Sequence, residues 1–478
     1  MKPYLKERYI VTMRTVIERL VGEALTRRIP ETVPRDICIK KMAGKVSVLT
    51  GMRRTGKTSL CFQTMRELLA AGVARERLLY LNFEDDRLAH VRVGDLQWIV
   101  EAFYGANPAL KEQTCWFFFD EIQRVDQWEL FIRRILDNER VEVMLTGSSA
   151  KLLSREIGTA MRGRSLATEV FPLSFCEYCR FQDVHVPERS VYGDRDRYAL
   201  AKAAEGYLRT GGFPEVQKCE EDIWRTVLQE YADVVILRDV IERHGLGNYA
   251  AVKALARHIV QNPGQLLSVT RLAATFSQAG IACGKNLLFD VLDHLHDAFF
   301  CFPVEVHDRS LNRRQVNPKK VYAADTGLCR AFSSGITGDR GAALEGVVFT
   351  TLRAGGFCPD YVVTPQKTGV DFVYKDGDGW QFVQACWSLA DAETAAREFR
   401  GLADALPLHP KAGRTLVTWN EEGERDGVRI VPLWRWLLEH DAAKGAAKGA
   451  EVQRKVQRKV APTAQNRVHS TAVVHKRL

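Results

Sequence analysis

Residues 48–62 read VLTGMRRTGKTSLCF, and the spacing Gly51-x-x-x-x-Gly56-Lys57-Thr58 within them constrains this chain more than any other feature. The run before it, KVSVLT (45–50), has the length and composition of a buried parallel strand. The run after it, KTSLCFQTMRELLAAG, reads as a helix with Gly72 as its C-terminal cap. Strand, glycine-rich turn and helix in that order aim backbone N–H groups and a helix N-terminus at one spot, which is a seat for phosphate. Gly51, Arg53, Arg54, Thr55, Gly56, Lys57, Thr58 and Ser59 are therefore the expected nucleotide-binding residues. Lys57 is expected to neutralise phosphate charge, and the Thr58 hydroxyl to ligate Mg²⁺.

A second run carries acids. CWFFFDEIQRV (115–125) is an aromatic strand ending in Asp120-Glu121. An acid at the tip of a buried strand is costly unless something pairs with it, and Mg²⁺ on ATP is such a partner. Asp120 is thus expected to hold the metal, and Glu121 to polarise the attacking water. RLLYLNFEDDRL (77–88), VEVMLTGSSA (141–150) and SLATEVFPLSF (165–175) supply three further strands. The run 141–150 ends in Thr146 and Ser148, where a hydroxyl either meets the γ-phosphate or caps the next helix. Ser148 is the expected γ-phosphate sensor.

TGSSAKLLSREIGTAMRGRSLATEVFPLSFCEY, with GMRRTGKTSL and FFFDEIQR, resembles the prokaryotic AAA-type ATPases related to archaeal ATPases and the signalling NTPase clade. The resemblance spans most of residues 20–430. It implies an α/β P-loop ATPase core with a parallel sheet (1–190), a helical lid (191–250), a winged helix-turn-helix (251–330) and a PD-(D/E)XK nuclease-like α/β domain (331–440). It also implies ATP as the nucleotide. The glycine-arginine pair prominent in that family is Gly163-Arg164 here, so Arg164, with Arg162 second to it, is the candidate arginine finger. A guanidinium there would stabilise charge on the transferring phosphoryl group, in its own subunit or in a neighbour's.

Beyond the core, GGFPEV (211–216) and ADVVILRDVIERHG (232–245) also look like this family's lid. Arg238, Asp239 and Glu242 fall on one helical face and are expected to form a local ion-pair cluster. SVTRLAATFSQAGIACGKNLLFDVLDHLHDAFF has the short-helix, glycine-turn, long-helix spacing of a winged helix. Its would-be recognition helix offers Lys285 and Asn286 but also Asp290, Asp293 and Asp297, which would repel phosphates. Basic residues gather instead in RSLNRRQVNPKK (309–320), a candidate wing. A surface for a protein partner is favoured over DNA readout.

The last folded segment resembles the restriction-endonuclease-like fold. AALEGVVFTTLRAGGF (342–357) is a helix carrying Glu345, and TGVDFVYKDGDGWQFVQACWSL (368–389) reads as a β-hairpin turning at Asp376-Gly377-Asp378-Gly379. Active members need an Asp, a Glu two residues before a Lys, and a metal. Asp371 matches, but Gln384 stands at the Glu position and Cys386 at the Lys position. Gln384 offers a neutral carbonyl where Mg²⁺ prefers a carboxylate, and Cys386 supplies no cation. A nuclease-like scaffold without robust nuclease activity is expected, with Glu345 and Asp371 left as a weak metal pair.

Charge says less than the total of +9 suggests, because residues 441–478 hold nine Lys or Arg against two Asp or Glu. The rest of the chain is close to neutral. That tail, with AAKGAAKGA and VQRKVQRKV, is repetitive and poor in large apolar groups, so a disordered extension is expected. The start, MKPYLKERYIVTMRTVIERL, lacks the apolar core of a signal peptide, and no window reaches membrane-spanning length. Eleven scattered Cys read as free thiols in a reducing compartment, hence a cytoplasmic expectation with no membrane partner. Cys176 and Cys179 form a lone CxxC with no second pair to complete a zinc site. Trp434 and Trp436 are expected in the core or on an edge strand.

Three functions fit these residues. One is a Mg²⁺-dependent ATPase acting as a conformational switch through its C-terminal domains, as a monomer or an oligomer. Another is a DNA-handling ATPase that uses the nuclease-like domain. The third is a nucleotide-gated scaffold with little turnover.

Overall fold

The computed structural model describes residues 3–148, 161–187, 191–333 and 340–441, with side chains from residue 12 onward. Helix α1 (Pro3–Thr26) leads to β1 (Val46–Thr50), the phosphate-loop turn and α2 (Lys57–Ala70). Then come β2 (Leu78–Asn82), α3 (Gln97–Ala106), β3 (Cys115–Asp120), α4 (Trp128–Asn138), β4 (Val141–Gly147) and β5 (Ser165–Glu169). All five strands are parallel, in the order β2-β3-β4-β1-β5. Every residue of β1 is buried, as a strand covered by helices on both faces requires. One face packs Phe117 and Phe119 against α1, α3 and α4; the other packs Leu49 and Phe118 against α2. Placing β4 between β3 and β1 brings its tip beside both the phosphate loop and the acids of β3.

A helical unit follows. It comprises α5 (Phe175–Phe181), α6 (Asp194–Thr210) and α7 (Glu221–Val234), which runs directly into a π-helical stretch, Val235–Glu242. Next, α8 (Tyr249–Gln261), β6 (Leu266–Leu267), α9 (Val269–Gln278), α10 (Lys285–Asp297), β7 (Cys301–Val304), α11 (Leu311–Val316) and β8 (Lys319–Ala323) make three longer helices and a small antiparallel sheet ordered β6-β8-β7. The basic run 309–320, expected as a wing, is a short helix leading into β8.

After α12 (Thr326–Ala331), the chain forms α13 (Arg340–Ala354), β9 (Asp360–Val363), β10 (Gly369–Asp376), β11 (Gly379–Ala385), α14 (Ala392–Ala405), β12 (Gly413–Thr418), β13 (Gly423–Arg425), β14 (Val428–Pro432) and α15 (Leu433–Glu439). The sheet order is β13-β14-β12-β11-β10-β9. β10 and β11 are an antiparallel hairpin, and β11, β12 and β14 run parallel. Trp434 and Trp436 lie buried on α15, a core helix and not an edge strand.

The cores divide the molecule unevenly. One apolar core runs from α5 through α15 and includes Trp224, Phe300, Tyr322, Phe349 and Trp436, whereas the five-stranded sheet has its own cores on each face. Only a few residues near the phosphate loop, Met52, Phe171 and Leu173, join the larger core. Ion pairs also link the two halves, among them Arg353 Nη2 to Glu169 Oε1 at 2.6 Å. Among the described residues, no helix is long and apolar enough to cross a membrane.

Candidate functional site

The loop between β1 and α2 is held open by glycine and by an arginine far from it in sequence. Gly51 has φ +153°, and a Cβ there would lie 2.2 Å from the Val170 carbonyl oxygen. Gly56 has φ +94°, and its Cβ would meet Arg35 Nη1 at 2.9 Å. Buried Arg35 donates from Nη1 to the Thr55 carbonyl (2.6 Å) and from Nη2 to the Phe171 carbonyl (2.9 Å). Its Nε lies 2.9 Å from Glu177 Oε1, and both side chains are buried. Glu177 also closes a capping box with Ser174 at the start of α5, the sequence signal through which it could have been found.

The candidate site side chains converge at the C-terminal ends of β1, β3 and β4. Lys57 Nζ donates to the carbonyls of Gly51 and Met52, both at 2.9 Å. Thr58 Oγ1 donates to Asp120 Oδ2 at 2.7 Å, and Tyr80 from β2 donates to the same oxygen at 2.7 Å. Thr146 donates to Asp120 Oδ1 and accepts from the Glu121 backbone N–H at 3.2 Å. Thr58 and Asp120 are thus the pair able to hold a divalent cation, with Tyr80 and Thr146 orienting the carboxylate. Tyr80 carries no sequence signal, since it lies inside a strand-forming run, whereas Thr146, expected at the γ-phosphate or as a helix cap, bonds the acids instead.

Thr146 is committed to the acids, which leaves Ser148 as the hydroxyl at the tip of β4. Its Oγ is buried and has no hydrogen-bond partner among the described residues. A buried unpaired hydroxyl is costly, and a phosphate oxygen would satisfy it. Glu121 sits at φ +55°, a left-handed conformation that non-glycine residues adopt at a cost. Burial pushes its carboxyl pKa up against the opposing pull of Lys57; burial likewise pushes the Lys57 ammonium down, opposed by Glu121 and Asp120. Glu121 Oε2 accepts from Gln123 Nε2.

The two arginines of the loop reach across to the helical unit. Arg53 is bidentate to Asp239, with Nε to Oδ2 at 2.7 Å and Nη2 to Oδ1 at 3.0 Å, and also donates to Glu84 at 3.2 Å. Asp239 is buried within the π-helical stretch. This corrects the expected local cluster: Arg238 pairs with Glu242 on the surface, while Asp239 faces the phosphate loop. Arg54 donates to Glu215 at 3.2 Å, and Glu215 also accepts from Tyr231. A cavity of about 770 Å³ lies between these walls, lined by Lys57, Thr58, Ser59, Asp120 and Glu121 on one side and Pro214, Glu215 and Tyr231 on the other. That volume suits a nucleotide.

Arg164 lies elsewhere. It accepts from the Val46 N–H at the start of β1, whereas the phosphate loop follows the end of that strand, about 15 Å away at roughly 3.3 Å per residue. Its guanidinium pairs with Asp137 at the end of α4. It does not reach the phosphate seat of its own chain. Arg162 is exposed beside it, at φ +50°.

The second expected site is reshaped. Glu345 on α13 and Asp371 on β10 do come together, but Lys320 from β8 joins them, its Nζ 2.8 Å from Glu345 Oε1 and 2.8 Å from Asp371 Oδ1. Tyr322 donates to the same Glu345 oxygen, and the Ala385 N–H donates to Asp371 Oδ2 at 3.0 Å. Gln384 is tied elsewhere, accepting from the Asp371 N–H at 3.0 Å and donating to buried Glu398 at 2.7 Å. Cys386 donates to the Ser388 carbonyl. Burial and the Asp371 charge raise the Glu345 carboxyl to about 7, despite Lys320. Cys176 and Cys179 are free thiols on α5, and no group of three or more metal-ligating side chains occurs among the described residues.

A family profile described as an AAA domain matches residues 43–179, and one described as a domain of unknown function matches residues 201–339. An uncharacterized protein of Methanocaldococcus jannaschii is 30% identical over 424 residues, spanning 86% of this chain and 92% of that protein. An uncharacterized protein of Haemophilus influenzae is 27% identical, spanning 82% of this chain and 94% of that protein. Among solved structures, a Walker-type ATPase of Pyrococcus abyssi matches 67% of this chain and 95% of its own at 15% identity and a TM-score of 0.37, a likeness too loose to add to the topology above.

Proposed function

The chain belongs to the same family as that Methanocaldococcus jannaschii protein and carries an AAA-type P-loop ATPase domain, and from that premise we propose that it hydrolyses ATP with Mg²⁺ and uses the nucleotide as a conformational switch. One observation carries the switch. Both arginines of the phosphate loop are paired with acids of the helical unit, Arg53 with Asp239 and Arg54 with Glu215. Phosphate oxygens arriving at that loop compete with those carboxylates for the same guanidinium groups. Binding therefore loosens the tie between the sheet and the larger core, and phosphate release restores it.

The chemistry follows from the remaining side chains. Bound Mg²⁺ would be held by Thr58 and Asp120 and would neutralise charge on the phosphates. Lys57 leaves the carbonyls of Gly51 and Met52 for a phosphate oxygen. Glu121, with Oε2 held by Gln123, takes the proton of the attacking water on Oε1; its raised pKa makes it the better base. Ser148 Oγ donates to the γ-phosphate. Arg164, too far from its own phosphate seat, acts as a finger only in a neighbouring copy.

The moving half reads as a helical lid, a winged helix and a nuclease-like unit. The three helices with sheet β6-β8-β7 support the second, and the α13-β9-β10-β11-α14-β12 order, with Asp371 on the hairpin, supports the third. On α10, Phe289, Asp290 and Asp293 are exposed together, a surface suited to a protein partner and hostile to phosphates. Hydrogen exchange tests the switch. Residues 232–245 are expected to exchange faster with ATP and Mg²⁺ than without nucleotide, and to stay fast in Glu121→Gln. Bound ATP with no change in that stretch would sink it.

A further inference from the structure

A nuclease-like unit implies a divalent metal between Glu345 and Asp371, and the residues present do not fit one. A hard divalent ion wants about six oxygen ligands. Here the inward oxygens of both acids, Glu345 Oε1 and Asp371 Oδ1, each lie 2.8 Å from a single ammonium. Asp371 Oδ2 is taken by the Ala385 N–H, and Tyr322 donates to Glu345 Oε1 as well. Gln384 and Cys386, which occupy the positions that would complete the site, are bonded to other groups. The Gly264 backbone closes one side, where an added Cβ would lie 3.1 Å from Glu345 Oε1 and 3.2 Å from the Tyr322 ring.

Lys320 belongs to a different module from the acids it joins. It lies on β8, paired with β7 and β6, and reaches 25 residues forward to Glu345 and 51 to Asp371. Its side chain is 17% exposed and that of Asp371 13%, so the contact is a nearly dry joint. We infer that Lys320 is the built-in cation of this site: its ammonium holds the place a divalent metal would take, excludes metal from the wild-type chain, and fastens the small sheet to the hairpin. Lysine provides three donors on a point charge, enough for both carboxylates. The inference adds to the ATPase reading and stands apart from it.

The test is Mn²⁺ binding to the full nucleotide-free chain, read by electron paramagnetic resonance of the free ion. Wild type and Asp371→Asn are expected to bind the same number of ions. Lys320→Met is expected to gain one Mn²⁺ per chain, and Lys320→Met with Asp371→Asn to lose it again. A Mn²⁺ site lost from wild type on Asp371→Asn overturns the inference, as does a folded Lys320→Met protein that gains none. Should Lys320→Met not fold, Lys320→Gln, which keeps a donor on the acids, replaces it. The wild-type comparison needs neither variant.

Discussion

Substituting Asp239→Asn should weaken the fold and tighten ATP binding at once, and that opposition makes it the sharpest probe of the switch. Exposed ion pairs contribute about 1 kcal/mol or less, while removing one partner of a buried pair costs about 3–5 kcal/mol. Here the Asp239 side chain is 5% exposed and Arg53 is 22% exposed, with Glu84 at 3.2 Å as a second partner for Arg53. The pair lies between the two regimes, so about 2 kcal/mol is the reasonable loss on urea unfolding. If phosphates must take Arg53 from Asp239, the same interaction opposes ATP. Its removal should lower the ATP Kd by about 30-fold, since about 1.4 kcal/mol corresponds to a factor of ten. Equilibrium titration with a fluorescent ATP analogue measures this beside the unfolding curve. An ATP Kd that is unchanged or weaker, with the stability loss present, would refute the competition: Asp239 would then be a brace for the loop in every state.

Two other outcomes follow from the geometry. Arg164→Ala is expected to leave ATP affinity intact and lower turnover by at least about 100-fold. Mixing it with Glu121→Gln chains should restore part of the activity, because each variant supplies what the other lacks; no recovery would exclude action in a neighbouring copy. Glu345, raised by burial and by Asp371 from the ordinary 4.5 to about 7, is held protonated more tightly folded than unfolded. Its contribution is therefore full below about pH 4.5 and is lost as pH rises through about 7. Glu345→Gln should flatten that part of the stability profile, and a variant curve parallel to wild type between those limits would contradict it.

The elements legible in the sequence are those whose signal is local. The phosphate loop, the acids after CWFFF and the strand runs each announce themselves within a dozen residues, because burial pattern and turn chemistry are short-range. The parallel sheet is implied by the family resemblance, and the order that sets β4 beside β1 comes from the structure. What escaped notice depends on contacts far apart in the chain. Arg53 meets Asp239 across 186 residues, and periodicity alone assigned that acid to its own helix face. Arg35 crosses to Phe171 and Glu177, and of these residues only Glu177 has a local sequence signal, its capping box with Ser174. Lys320 lies in a basic run that reads as a wing, while the hairpin pattern places the missing cation at Cys386. Arg164 stands out through its neighbours in sequence, but only the register of β5 against β1 shows that it lies at the end of the sheet away from its own phosphate loop.

Everything proposed for the switch depends on Lys57, Thr58, Asp120 and Glu121 working together as an ATPase site. The most direct measurement is steady-state phosphate release from ATP with Mg²⁺, wild type beside Glu121→Gln, with nucleotide occupancy checked in both. Turnover is expected in wild type, at least about 100-fold less in the variant, with undiminished ATP binding there. Equal rates in the two proteins, or bound ATP with no turnover in wild type, would contradict it.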